Sequence, residues 1–211
     1  MKSIRLPNHK YLEQVKETNE WYYIQDTPCS EPDEVFHFKG NYEGTKLYLI
    51  HYPSGKLYQP IKQIKNVFLQ EPTYHHDDKT LNILSYDFNH KQLEVISFEP
   101  NTQLTNVLIQ VPFDKLGDMI NIRLITTPLT LVKHEIHEHC VKWLWPEEKE
   151  TQFERHEALE YREKNQYYTS KWIEDPDYHE EVLTRSYETD ELLERKVGYL
   201  RRMPNGELWY S

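Results

Sequence analysis

The sequence predicts an all-β protein, an antiparallel meander of short strands and hairpins. Apolar and polar residues alternate with a period of two along most of the chain after Trp21. Turn signals separate these segments about every 8–12 residues, as in antiparallel sheets. There are only six glycines and no recurring signature dipeptide, which disfavours an ordinary repeat propeller. A propeller-like arrangement of four or five blades and a barrel or sandwich both stay open.

The first 20 residues are the exception and predict a short N-terminal helical segment, 1–20. Tyr11, Leu12 and Val15 fall on one helical face, and Asn8 is a suitable N-cap. This stretch has no apolar core of a signal peptide, and no segment has the length of a membrane span. Because Cys29 and Cys140 are far apart and belong to no motif, we expect reduced thiols in a cytoplasmic protein without membrane contact.

The first half of the chain predicts two hairpins followed by apolar strands. In TKLYLIHY (45–52) the residues alternate, and PSG (53–55) then turns the chain into KLYQPI. A second hairpin joins LNILSYDF to QLEVISFEP through FNHK (88–91). NVLIQVPF and NIRLI (121–125) follow as strands, with a single helical turn predicted at DKLGD (114–118) between them.

The second half continues the pattern with more polar strands. The predicted pairs are LTLVKHE with HCVKWLW, and ALEYRE with YYTSKWIE around the turn EKNQ; EEVLTRSYE and LERKVGYLRRM follow. PNG (204–206) is a strong turn signal because Asn and Gly accept positive φ easily. About fifteen strands in one domain, 1–211, are therefore predicted.

Charge is concentrated in the segment 146–195. The chain has a net charge of −10, and this segment alone holds 16 acidic against seven basic residues. Its apolar pattern is thin, which predicts an acidic hairpin region of edge strands or an arm that docks on another subunit. The favoured interpretation is a solvated acidic face. The rest of the chain is nearly neutral and has no basic stripe, so direct nucleic-acid binding is disfavoured.

A cluster of three histidines and a cysteine, HEIHEHC (134–140), raises the possibility of a divalent metal site. If 135–145 is one strand, His137, His139 and Glu135 share a face, and paired histidines at this spacing occur in β-strand metal sites. Neither the helical zincin spacing nor the cupin pattern is complete. The favoured alternative is an exposed tight turn of the hairpin between LTLVKHE and HCVKWLW, and no cofactor is expected.

A second acidic group surrounds the turn in WIEDPDYHEE (172–181). It predicts an acidic surface made of Glu174, Asp175, Asp177, Glu180 and Glu181. Two carboxylates can hydrolyse a glycoside when the fold holds them beside a sugar site. Acidic residues in a run at a turn are more commonly solvated.

Aromatic residues in the last third are candidates for ligand contact. Trp143, Trp145 and Trp172, together with Arg162 and Arg185, would suit a small anionic or sugar-like ligand if they line a concave surface. Aromatic residues on strands more commonly pack across strands. No phosphate-binding loop, dinucleotide fingerprint or nucleophile elbow is present.

The favoured hypothesis is a non-enzymatic binding or protein-interaction module with an acidic partner-facing surface. We expect it to form a homo-oligomer and to bind a basic protein or a small ligand. One alternative is a metal-dependent or carboxylate-based hydrolase centred near the paired histidines. Another is an inhibitor whose acidic face mimics the charge of DNA.

Overall fold

The structure, a computed structural model that describes residues 11–211, confirms an antiparallel all-β fold. The chain divides into two compact units. Unit 1 contains residues 11–74 and 78–120, and unit 2 contains residues 75–77 and 121–211. No helix within residues 11–211 is long and apolar enough to cross a membrane.

Unit 1 carries two antiparallel sheets. Sheet A has the order β1 (Glu13–Gln14), β2 (Trp21–Asp26), β3 (Lys46–His51) and β4 (Lys56–Tyr58). Sheet B has the order β5 (Val67–Leu69), β7 (Thr80–Asp87), β8 (Gln92–Glu99) and β9 (Leu104–Pro112), and β6 (Thr73–His75) also pairs with β7. A 3-10 helix spans Pro32–Phe38, and the helical turn predicted after β9 is α1 (Phe113–Leu116).

The period-two alternation explains the core of unit 1. In β3, Leu47 and Leu49 are fully buried while Lys46 and Tyr48 are partly exposed on the other face. The inward faces of sheets A and B meet in one cluster of large apolar side chains. The buried members of this cluster are Val15, Trp21, Tyr23, Leu47, Leu49, Val67, Leu69, Tyr74, Leu81, Ile83 and Phe98.

Unit 2 repeats this plan. Sheet C consists of β10 (Ile122–Ile125), β11 (Thr130–Glu135), β12 (Cys140–Trp145) and β13 (Lys149–Gln152), with a 3-10 turn at Ile136–Glu138. Sheet D consists of β14 (Glu157–Arg162), β15 (Gln166–Ile173), β16 (His179–Ser186) and β17 (Leu192–Val197). A final hairpin pairs β18 (Leu200–Arg202) with β19 (Leu208–Tyr210).

The core of unit 2 is aromatic and lies where sheets C and D meet. Trp143 packs edge-on against Tyr167 and Tyr187, with ring centroids 5.5 Å and 5.2 Å apart. The full cluster is Ile125, Val132, Val141, Trp143, Phe153, Leu159, Tyr167 and Tyr187.

The acidic region 146–195 differs from the edge hairpins that its polarity predicted. β15 and β16 are central strands of sheet D, and Leu159, Tyr167, Thr169 and Leu183 are fully buried. The prediction was wrong because several inward positions hold Thr or Tyr. These residues have low hydropathy, so they do not appear as apolar positions in the sequence pattern. Their hydroxyl groups are satisfied by hydrogen bonds inside the unit.

The N-terminal helix is not formed in the described part of the chain. Glu13 and Gln14 pair with Tyr23 and Tyr22 as strand β1, and a turn follows before β2. Three apolar residues give a helical face too small to compete with a sheet edge, and Val15 is instead buried in the core of unit 1. The proposed cap Asn8 lies outside the described residues.

The PNG turn is confirmed as the loop between β18 and β19. Gly206 has φ +88° and its amide donates to the Met203 carbonyl at 2.8 Å. A Cβ atom at this position would lie 2.9 Å from the ring of His76. The turn therefore requires glycine both for its backbone angle and for this close contact.

Candidate functional site

The two histidines His137 and His139 lie on a turn and not on one strand. β11 ends at Glu135, the 3-10 turn follows, and His139 adopts a left-handed conformation with φ +51° before β12 begins. Both imidazoles are exposed. The strand parity that predicted a shared metal face therefore does not apply, and the alternative of a tight hairpin turn describes this segment.

Glu135, the third member of the predicted metal set, is held by two lysines. The ammonium groups of Lys133 and Lys142 both donate to Glu135 Oε1 at 2.9 Å. Burial opposes ionisation of this carboxyl, but the lysine hydrogen bonds outweigh it and lower its pKa. Across residues 11–211 no group of three or more His, Cys, Asp or Glu side chains is placed to hold a metal ion.

A pocket of about 370 Å³ lies beside this turn within unit 2. It brings together Glu135, His139 and Trp172, three residues that the sequence assigned to two separate sites. The lining is completed by side chains of β11, β12, β14, β15 and the segment before β14. The complete lining is His134, Glu135, Ile136, His139, Cys140, Phe153, His156, Glu157, Ala158, Glu160, Ser170 and Trp172.

His134 contributes a neutral imidazole to the pocket. Burial, together with the positive charge of Arg123, lowers the pKa of His134 to about 4. Its Nε2 atom is buried and has no hydrogen-bond partner.

Glu157 and Glu160 enter the pocket in different electrostatic states. The Glu157 side chain is fully buried, and the Nε and Nη2 atoms of Arg185 donate to its two oxygens at 2.9 Å and 3.0 Å. Glu160 accepts one hydrogen bond, from Ser170 Oγ at 2.9 Å, and no basic side chain of residues 11–211 forms an ion pair with it. The negative charge of Glu160 is therefore left uncompensated at the pocket.

The charge of Glu160 changes the pKa of Glu180. Burial and the nearby charge of Glu160 together raise the pKa of Glu180 above its ordinary value. Glu180 is the cross-strand partner of Trp172 in sheet D, so the two side chains project from the same face. Glu180 therefore places a second carboxyl beside Trp172.

Trp172 supplies a flat apolar surface at the mouth. The side chain is 51% exposed, and its ring lies within 6° of parallel to the ring of His156 with centroids 6.4 Å apart. A large aromatic ring held in a fixed plane and left open to solvent is a suitable contact for a cation or a planar group.

Four of the five aromatic and basic candidates do not line the pocket. Trp143 is buried and its indole Nε1 donates to Thr151 Oγ1 at 3.0 Å. Arg162 is buried, with its guanidinium carbon 3.6 Å from the centroid of the Tyr187 ring. Arg185 is committed to Glu157, and Trp145 is half-buried at the end of β12, opposite Leu131.

The predicted acidic surface is reduced by one residue. Glu174, Asp175 and Asp177 are exposed in the turn between β15 and β16, directly after Trp172 and Ile173, and Glu180 is half-buried nearby. Glu181 faces the other way: it is only 9% exposed, and its Oε2 atom forms an ion pair with Arg195 Nη1 at 3.3 Å. Adjacent strand residues point to opposite faces, which separates Glu180 from Glu181.

Sequence reasoning missed His134, His156, Glu160 and Ser170. The parity of β15 gives part of the missing information, because Ser170 and Trp172 are two residues apart and share a face. The contribution of His134 and His156 depends on how sheets C and D pack in unit 2, which no local pattern encodes.

Comparison with known proteins supports the fold and little else. No protein-family model matches the sequence, and no curated protein matches it. A chain from a structural and mechanistic analysis of two prolyl endopeptidases aligns with 96% of this chain at 13% identity and a TM-score of 0.50. Dipeptidyl peptidase 4 of Porphyromonas gingivalis aligns with 92% at 8% identity, with a TM-score of 0.45. This chain spans about a third of each peptidase, 31% and 32% of their lengths.

Proposed function

We propose that this chain is a binding module that takes a basic segment of another protein, with one Lys or Arg side chain of that segment seated in the unit 2 pocket. The observation that carries this proposal is the uncompensated carboxylate of Glu160 in a pocket whose mouth holds the exposed ring of Trp172. A cation over an aromatic face beside a carboxylate gains from both contacts.

The acidic turn extends this surface beyond the pocket. Glu174, Asp175 and Asp177 are exposed directly after the strand that carries Trp172. They provide a negative field that attracts the flanking basic residues of a partner and raises the rate of association. Each exposed charge pair contributes at most about 1 kcal/mol, so we expect moderate affinity that falls steeply with salt.

The proposal is tested with a fluorescein-labelled octapeptide of alternating Arg and Gly, measured by fluorescence anisotropy at low salt. Trp172→Ala and Glu160→Gln should each weaken binding about three- to fivefold, because each removes one favourable contact of about 1 kcal/mol. Trp209→Ala and Glu188→Gln are matched controls on exposed positions of unit 2 outside the pocket lining. Both controls should bind as the parent does.

The pH dependence of peptide binding is a second test of the same site. Because the pKa of Glu180 is raised, this carboxyl takes up a proton before ordinary carboxyls do as the pH falls. Peptide binding should weaken over that range, and Glu180→Gln should remove this part of the pH dependence. Binding that is equal for an octapeptide of alternating Glu and Gly would disprove the proposal.

A carboxylate-based hydrolase is the second candidate, since the charge of Glu160, together with burial, raises the pKa of the neighbouring carboxyl of Glu180. Trp172 would then stack on a sugar ring. Its test is release of nitrophenol from a panel of 4-nitrophenyl glycosides, with loss of activity in Glu160→Gln. The alternative of a metal-dependent hydrolase rested on His137 and His139 sharing one face of a strand, and these residues lie on a turn. The alternative of an inhibitor that mimics the charge of DNA stays a hypothesis.

We propose that self-association uses the outer edge of sheet B. β9 is an exposed edge strand of nine residues with no charged side chain, and Leu104, Val107 and Leu108 are 59%, 51% and 40% exposed. Unprotected edges of this kind pair with other strands. Antiparallel pairing of β9 with its copy opposes no like charges, which favours a second copy of this chain.

Two finer expectations are supported by individual features. Sheets A, C and D are each a meander of four consecutive strands, which is the strand order of a propeller blade. We therefore propose that these sheets are propeller-like blades.

Cys29 and Cys140 are free, buried thiols, which fits the reducing cytoplasm that we propose as the location.

A further inference from the structure

Unit 1 contains a second pocket, of about 530 Å³, that the proposed function does not use. It lies among the 3-10 helix at Pro32–Phe38, the turn between β7 and β8, and α1. Its volume is within the range typical of small-molecule sites, roughly 300–1,000 Å³.

The wall of this pocket is a chain of three phenylalanine rings. Phe36 and Phe88 meet at a right angle with centroids 5.2 Å apart, and Phe88 and Phe113 meet at 65° with centroids 5.4 Å apart. Phe36 is nevertheless 60% exposed. An apolar ring held in place by its neighbours and left in water gains free energy when an apolar ligand covers it.

The polar lining determines the charge of the occupant. Lys39 and Lys91 line the pocket, and within residues 11–211 neither ammonium forms an ion pair, while Asp114 is the one acidic residue of the lining. Both lysines sit at fixed turn positions, with φ +50° and +54°. In a protein of net charge −10, the pocket is a local site of net positive charge.

Asn66 places a hydrogen-bond acceptor without a partner in the lining of this pocket. Its side-chain amide nitrogen donates to Asn89 Oδ1 at 3.2 Å, whereas its own Oδ1 is buried without a partner. A buried acceptor without a partner lacks a hydrogen bond that an N–H or O–H group would supply, and Asn66 is part of the pocket lining.

We propose that the unit 1 pocket binds an aromatic carboxylate that carries a hydrogen-bond donor. The apolar ring system would cover Phe36 and Phe88, the carboxylate would lie between Lys39 and Lys91, and the donor would reach Asn66. This site takes anions, in contrast to the cation site of unit 2, and is independent of it.

Two probes test the proposal directly. The fluorescence of 8-anilinonaphthalene-1-sulfonate, an aromatic anion, should rise on binding, and indole-3-acetate should displace it. Tryptamine has the same ring and N–H with an ammonium in place of the carboxylate, and it should not compete. Equal competition by tryptamine would overturn the assignment of an anion site.

Variants separate this pocket from other apolar surface. Lys39→Gln/Lys91→Gln should weaken binding of the sulfonate probe at least fivefold, and Phe36→Ala, which truncates a ring that is 60% exposed, should do the same. The matched control Lys62→Gln/Lys164→Gln removes two exposed lysines outside the lining and should leave binding unchanged. Val107→Lys should also leave it unchanged, which excludes binding on β9. Unchanged binding in both pocket variants would disprove the proposal.

Discussion

At the scale of single residues, unit 2 encloses polar groups among its strands. His134 is half-buried with its Nε2 atom enclosed and its pKa lowered, and Glu157 is a fully buried carboxylate paired with Arg185. Neither role can be derived from the sequence, in which His134 is one of several histidines and Glu157 one of many acidic residues. Their roles are set by the strands that pack around them.

His134 makes the stability of the protein depend on pH. Its pKa is about 4 in the folded chain against an ordinary value of 6.5, so the folded state binds fewer protons than the unfolded state between these values. The free energy of unfolding should therefore fall by about 2–3 kcal/mol on this account as the pH drops from 7 to 4.5. Urea unfolding of His134→Asn should show a loss smaller by that amount.

The neighbouring exposed histidine provides the control for this measurement. His137→Asn should lose as much stability between pH 7 and 4.5 as the parent protein does. If His134→Asn and the parent lose the same amount, His134 is not buried as a neutral base.

A double substitution at Glu157 and Arg185 tests whether these two residues form a buried ion pair that stabilises the fold. Arg185→Leu leaves the fully buried Glu157 carboxylate without its cation, and the expected destabilisation is about 3–5 kcal/mol. Adding Glu157→Gln removes the unpaired charge and should recover a large part of that loss. Thermal or urea unfolding at pH 7 measures both, and a double variant as unstable as Arg185→Leu alone would contradict the pairing.

At the scale of elements, most strands follow from alternation and turn chemistry. The hairpins around PSG, FNHK and PNG, the strands β3, β7, β8 and β12, and the helical turn α1 all lie where the sequence predicts them. Two predictions fail, the N-terminal helix and the edge hairpins of 146–195. Glu13 and Gln14 pair with β2 instead of forming a helix, and β15 and β16 are central strands of sheet D. At 136–139 the favoured prediction, a tight turn, is confirmed.

The edge strands differ in how they are protected. β4, β13 and β17 carry charged residues, among them Lys56, Lys149 and Arg195, whereas β9 carries none. Charge on an edge opposes pairing with another sheet. β5, β9 and β19 are edge strands without a charged residue, and β9 is the longest of them with nine residues. We therefore propose β9 as the edge at which this protein associates with itself.

A single charge on β9 should abolish that association. Val107→Lys places an ammonium in the middle of the uncharged edge, and light scattering coupled to size-exclusion chromatography should show a monomer where the parent forms a dimer. Val197→Lys is the matched control, because Val197 is 63% exposed on the already charged strand β17. A parent protein that is monomeric at high concentration would refute this role of β9.

At the scale of the whole molecule, the sequence shows the acidic segment and the aromatic residues. It does not show that some of them lie next to each other in the fold. The excess of acid in 146–195 and the exposed Trp172 are separate facts of composition. The fold of unit 2 brings Glu160 and Trp172 into the lining of one pocket, and the acidic turn follows the strand that carries Trp172. The interaction hypothesis thereby gains a defined location.

The central claim is that a basic segment binds at the unit 2 pocket, and nuclear magnetic resonance tests it most directly. The ¹⁵N-labelled protein is titrated with the octapeptide of alternating Arg and Gly at low salt, and its amide and indole resonances are followed. The Trp172 indole and the amides of residues 156–160 and 170–180 should shift together, while those of unit 1 stay unchanged. Shifts spread evenly over both units, or none at all, would contradict the claim.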